Sequence, residues 1–169
     1  MKQHCPVCAE PVCSPTGRSQ ELLIVGEFPG REEMIQGRPF ASNPNFMTAG
    51  RILKKELERC GVSLSDFRIC NLWLHEPNKN ENCFKAGYNN VLDEAKGKQA
   101  ILLVGSDTVE TFTGYKVSDV TGLQVDSNVL SAPIIYASVN PALAQHRSLG
   151  EVRFAIEKFV RRLEIENLL

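Results

Sequence analysis

At 169 residues with 43% apolar side chains, the chain has enough material for one well-developed core and does not need a disulfide framework to hold it. Lysine plus arginine number 19 against 20 acids, which excludes a global basic field, so any contact with nucleic acid must be local. No apolar run approaches bilayer-spanning length, and the opening MKQHCPVC lacks the basic-then-apolar pattern of a secretory signal; a cytoplasmic protein with no membrane partner is expected.

In chain order, the first feature is CPVCAEPVC, which crowds Cys5, Cys8 and Cys13 together. In a chain with no export signal, metal binding is the better reading of such cysteines, and the two-residue gap between Cys5 and Cys8 lets both thiolates face one ion or cluster. Four apolar, β-branched runs follow: LLIVGE (22–27), FRICNLW (67–73), AILLVG (100–105) and PIIYASVN (133–140). Between them, AGRILKKELERCG (49–61) carries Ile52, Leu53 and Leu57 at helical spacing and stops at Gly61. FKAGYNNVLDEAKG (84–97) and SDTVETFTG (106–114) also read as helices, the second with Ser106 as its N-cap. The last segment, 149–169, aligns Val152, Ile156, Phe159, Val160 and Leu163 on one face of a long amphipathic helix.

Strand and helix alternate throughout, which predicts one α/β domain over residues 1–169: a three-layer α/β/α sandwich on a four-stranded parallel sheet, preceded by a cysteine-rich metal-binding segment at 1–20. Ligands of such sheets sit beyond the carboxyl ends of the strands. The residues there include Glu27 to Gly30, Asn71 to His75, Gly105 to Thr108 and Asn140 to Arg147. Any one of them has an ordinary explanation as a strand end or turn. A carboxylate, an aromatic ring and two amides at one sheet edge are together the groups needed to hold a planar heterocycle and hydrolyse the bond beside it.

The segments GEFPGREEMIQGRPFAS, AGRILKKEL, ICNLW, ILLVGSDTVETFTG and VNPALAQHR resemble the iron–sulfur uracil-DNA glycosylases, the family four branch of the uracil-DNA glycosylase superfamily. The likeness runs from about Leu22 to Phe159. It implies a monomeric enzyme that acts on DNA containing uracil or a related base, hydrolysing the glycosidic bond of a flipped-out base. By the same resemblance Phe40 stacks on the base, and Asn71 reads its edge: the amide accepts from uracil N3–H and donates to O4, where cytosine presents the opposite pattern. Glu27 places the attacking water and faces the developing sugar cation. Glu33 lies near the base, where it helps exclude thymine's methyl group. Gly26, Phe28 and Gly30 complete the first motif, and Gly30 and Gly37 let main-chain N–H groups approach phosphate or base oxygens. Arg38, Arg51, Lys54, Lys55 and Arg147 supply a local basic rim.

The chain departs from that pattern in two places. The family's last loop begins His-Pro, its histidine donating to the uracil oxygen on which charge collects; here the residue is Asn140, and loss of such a donor typically costs about 2.7–4 kcal/mol of barrier. Asn140 can still donate, and His146 in the same loop is a substitute donor. The resemblance also implies a 4Fe-4S cluster on four cysteines, yet NLWLHEPN places His75 where the third is expected. Two ligand sets stay open: Cys5, Cys8, Cys13 and Cys83, which suits an iron–sulfur cluster, or Cys5, Cys8, His75 and Cys83. Zinc is the alternative metal. Cys60 and Cys70 fall at a helix end and inside a strand, and are set aside as small hydrophobes.

Overall fold

The computed structural model describes residues 3–142 and 149–169. The four apolar runs form β1 (Leu22–Gly26), β2 (Arg68–Asn71), β3 (Ala100–Val104) and β4 (Ile134–Ser138). All pair in parallel in the order β2-β1-β3-β4, with Val25 level with Cys70 on one side and Leu103 on the other. Every residue of β1 and β3 is buried, as expected for central parallel strands covered on both faces.

The helices are α1 (Arg31–Gln36), α2 (Ala49–Arg59), α3 (Glu81–Ala95), α4 (Ser106–Thr113), α5 (Val117–Val120) and α6 (Leu149–Ile165). Because side chains alternate along a strand, Leu22, Ile24, Leu102 and Ile134 form one core with α2 and α6. Leu23, Val25, Leu103 and Ile135 form the other with residues of α3 and α4, such as Val91 and Val109. This is the three-layer α/β/α arrangement that the alternating pattern predicts. The α2 and α6 stripes read from the sequence are all buried, and Thr48 starts α2 by accepting from the Arg51 N–H at 3.2 Å. Glu56, buried on α2, accepts from Arg59 at 2.7 Å and from Arg153 of α6 at 3.0 Å, pinning the two helices together.

Two helix starts differ from the sequence reading. Gly105, at φ 100°, caps α4, and Ser106 is the first helical residue. The α3 helix begins at Glu81, because the Asn80 side chain accepts from the Asn82 N–H and starts it one turn early. Both outer strands have company. Thr16 exchanges two backbone hydrogen bonds with Ile69 of β2, and Gly122 and Val125 donate to Ala137 and Ile135 of β4.

Candidate functional site

Gly26 ends β1 and Asn71 ends β2, side by side in the ladder. No side chain fits at Gly26: a Cβ there would overlap Asn71 Oδ1 and stand 2.9 Å from the Phe40 ring. The ring and the amide therefore meet over bare backbone. Gly26→Ala should push the Asn71 amide and the Phe40 ring apart and lower the melting temperature, which a thermal denaturation curve would check.

Glu33 of α1 organises the surroundings. Its Oε2 accepts from the Gly30 N–H at 2.8 Å, while Oε1 accepts from the Phe40 N–H at 2.7 Å and from Asn71 Nδ2 at 3.4 Å. A carboxylate only accepts, so the Asn71 edge turned to it must be the NH₂, which leaves Oδ1 over Gly26. Burial pushes the Glu33 carboxyl above its ordinary range, against the pull of these three donors. Phe40 itself sits at φ 49°, a left-handed conformation that bulky residues rarely adopt. Its bond to Glu33 holds it there, as does the close packing of Gly50, where any Cβ would overlap the Phe40 carbonyl.

Glu27 leaves β1 with its carbonyl accepting from the Trp73 N–H at 2.8 Å. Its carboxylate lies on Gly105, where a Cβ would overlap it, and faces the Ser106 and Asp107 N–H groups at the start of α4. Burial and then the Asp107 charge raise the carboxyl to about 7, the two N–H groups opposing them. A carboxyl in that range exchanges a proton readily near neutral pH. Thr108, fully buried, donates from Oγ1 to the Gly26 carbonyl at 3.0 Å and fixes the strand end between the two groups. The sequence places Gly105 and Thr108 in one of the strand-end segments but assigns neither a role of its own. Their only signal is a position just after a strand.

The other expected residues are less gathered. Asn140 follows β4 on the same sheet rim, and its Oδ1 accepts from the Ala142 N–H at 2.9 Å, so Nδ2 is the end left to donate. Phe28 is 41% exposed. His146 and Arg147 lie outside the described residues. In the basic rim, Arg38 is held by the Gln36 side chain, Arg51 by the Pro44 carbonyl, and Lys54 pairs with Glu58 at 3.8 Å. A cleft of about 380 Å³ opens beside Phe40, lined also by Arg38, Lys54, Ser63 and Ser65; Glu27, Glu33, Asn71 and Asn140 do not line it.

The cysteine-rich segment builds a second centre. Cys5, Cys8, His75 and Cys83 place their donor atoms within 4.8 Å of one another. Cys5 Sγ is 4.0 Å from Cys83 Sγ, and Cys8 Sγ is 3.4 Å from His75 Nε2. These four residues can hold a metal. Cys13, a member of the other ligand set, is not among them. After the Cys5–Cys8 turn the chain doubles back, His4 bridging Pro11, so that the Cys13 N–H bonds the Leu74 carbonyl at 2.7 Å. Its thiol is buried close enough to Glu33 to feel that charge, burial first and then Glu33 pushing it up to about 12. Cys70 is enclosed in β2 and Cys60 caps α2, so both stand apart from either centre.

The sequence profile of the Uracil DNA glycosylase superfamily matches residues 15–164. The chain belongs to that superfamily, whose members are typically glycosylases.

Proposed function

We propose that this protein removes uracil from DNA by hydrolysing the N-glycosidic bond of a flipped-out nucleotide, leaving an abasic site for base excision repair. The observation that carries the reading is the Asn71 amide held by Glu33 against bare Gly26, beside the Phe40 ring. A pyrimidine stacked on Phe40 would present its Watson–Crick edge to Asn71, with N3–H donating to Oδ1 and O4 accepting the second Nδ2 hydrogen. Glu27, in its ionised form, would take a proton from the attacking water and face the positive charge that grows on the sugar. Asn140 Nδ2 would donate to O2, where negative charge collects as the base departs. A near-neutral protein whose cations are local should bind DNA modestly and in a salt-sensitive way.

Incubation with single- and double-stranded uracil oligonucleotides, followed by alkali, should produce strand cleavage at the uracil position. No product above a Glu27→Ala control would remove the reading. A second reading, a metal-stabilised DNA- or nucleotide-binding module with weak or no glycosylase activity, is favoured by the asparagine at position 140. It predicts oligonucleotide retention without product after prolonged incubation.

A further inference from the structure

The resemblance to iron–sulfur enzymes implies a cubane cluster, and the donor set here does not suit one. In a 4Fe-4S cluster each thiolate stands on a different iron, so the width of the cluster itself keeps the sulfurs apart. Ligands of one zinc ion, at about 2.3 Å for sulfur and about 2.0–2.1 Å for imidazole nitrogen in a tetrahedron, lie only about 3.4–3.8 Å from each other. The separations of 3.4 Å for Cys8–His75 and 4.0 Å for Cys5–Cys83, with all four donors inside 4.8 Å, match the second geometry.

We propose that Cys5, Cys8, His75 and Cys83 bind a single tetrahedral zinc ion in place of an iron–sulfur cluster, and that Cys13 is not a ligand.

The surroundings support this assignment independently of the spacing. His75 Nδ1 lies 2.7 Å from the Glu76 carbonyl. A carbonyl only accepts, so Nδ1 carries the proton and Nε2 keeps its lone pair for the metal. Asn78 Nδ2 donates to Cys83 Sγ at 3.6 Å. The Ala9 N–H closes a turn onto the Cys5 carbonyl at 3.0 Å, the Cys5 N–H returns to the Glu10 carbonyl at 2.8 Å, and Ala9 takes a positive φ of 61°. That loop wraps the Cys-x-x-Cys pair around one point. Zinc has no redox chemistry and a closed four-ligand site leaves no open position. The ion's work is to fasten residues 3–13 to the end of β2 and the start of α3.

The test uses the full chain purified aerobically and needs no catalytic readout, so its failure is separate from failure of the glycosylase reading. Elemental analysis should give one zinc per chain in a colourless protein. Exchange with cobalt(II) should give the intense visible bands of a tetrahedral thiolate site. Iron near four atoms per chain with broad brown absorption, or no cobalt spectrum, overturns the proposal. Cys13→Ser should keep both the stoichiometry and the cobalt bands; losing them restores Cys13 as a ligand. His75→Ala should weaken cobalt binding by at least about tenfold, and an unchanged spectrum overturns the assignment. His75→Cys should retain the ion with bands shifted to the red by the added thiolate; unshifted bands count against His75.

Discussion

Glu27→Gln should lower uracil excision by about 10²–10⁴-fold and, at pH 8, should make the folded protein more stable than wild type. The two effects share one cause. Burial and the Asp107 charge raise the folded-state carboxyl from 4.5 to about 7, so the native state holds this proton more tightly than the unfolded chain does. Stability from this group is therefore fullest below pH 4.5 and is lost as the pH climbs through about 7, to an extent on the order of 3 kcal/mol. Glutamine carries no charge to desolvate and escapes that loss. Glu33 is also raised by burial and acts in the same direction, so the variant should flatten the pH profile of the melting temperature without abolishing its slope. Wild-type excision should fall as pH drops below about 7, because only the ionised carboxylate accepts a proton from water. Melting curves between pH 4 and 8.5, paired with single-turnover excision, measure both. Undiminished excision by Glu27→Gln would contradict the role given to this side chain.

Glu33→Gln should reduce the preference for uracil over cytosine by about tenfold or more, the range of one good amide-to-base pairing. In the native site both carboxylate oxygens accept: one from Gly30, the other from Phe40 and Asn71. Glutamine replaces one acceptor with an NH₂: turned one way it strands the exposed Gly30 N–H, turned the other it faces the Phe40 N–H and the Asn71 amide with a donor. In the second orientation Asn71 reverses to offer its oxygen, and its reversed edge fits cytosine. Competitive inhibition by free uracil and free cytosine gives the ratio directly, even where cytosine is not excised. An equal loss for both bases would assign Glu33 a purely structural role.

The sheet and its large helices were legible because their signal is repetition: buried strands written as unbroken apolar runs, and Val152 to Leu163 recurring at helical spacing. The rule that ligands meet parallel sheets at strand ends directs attention to Glu27, Asn71 and Asn140, and all three follow or end strands on that rim of the sheet. Other features depend on contacts between distant segments, which periodicity does not encode. The six residues of α1 include no buried apolar face, yet they deliver the Glu33 carboxylate to partners seven and 38 positions away. Likewise Cys13 is closer in sequence to Cys5 and Cys8 than His75 is. A backbone pairing with Leu74 holds Cys13 apart, and it is His75 whose donor atom stands with those of Cys5, Cys8 and Cys83.

The Thr16 pairing on β2 and the Gly122–Val125 pairing on β4 have a consequence for how the molecule behaves in a crowd. An unprotected outer strand is a template on which a neighbouring chain can add itself, the usual start of aggregation. Here the guard on β2 belongs to the segment that runs on from the Cys5–Cys8 hook. A chelator that pulls that hook loose should first make the protein sticky, seen as rising light scattering while the far-ultraviolet spectrum still reports an intact sheet.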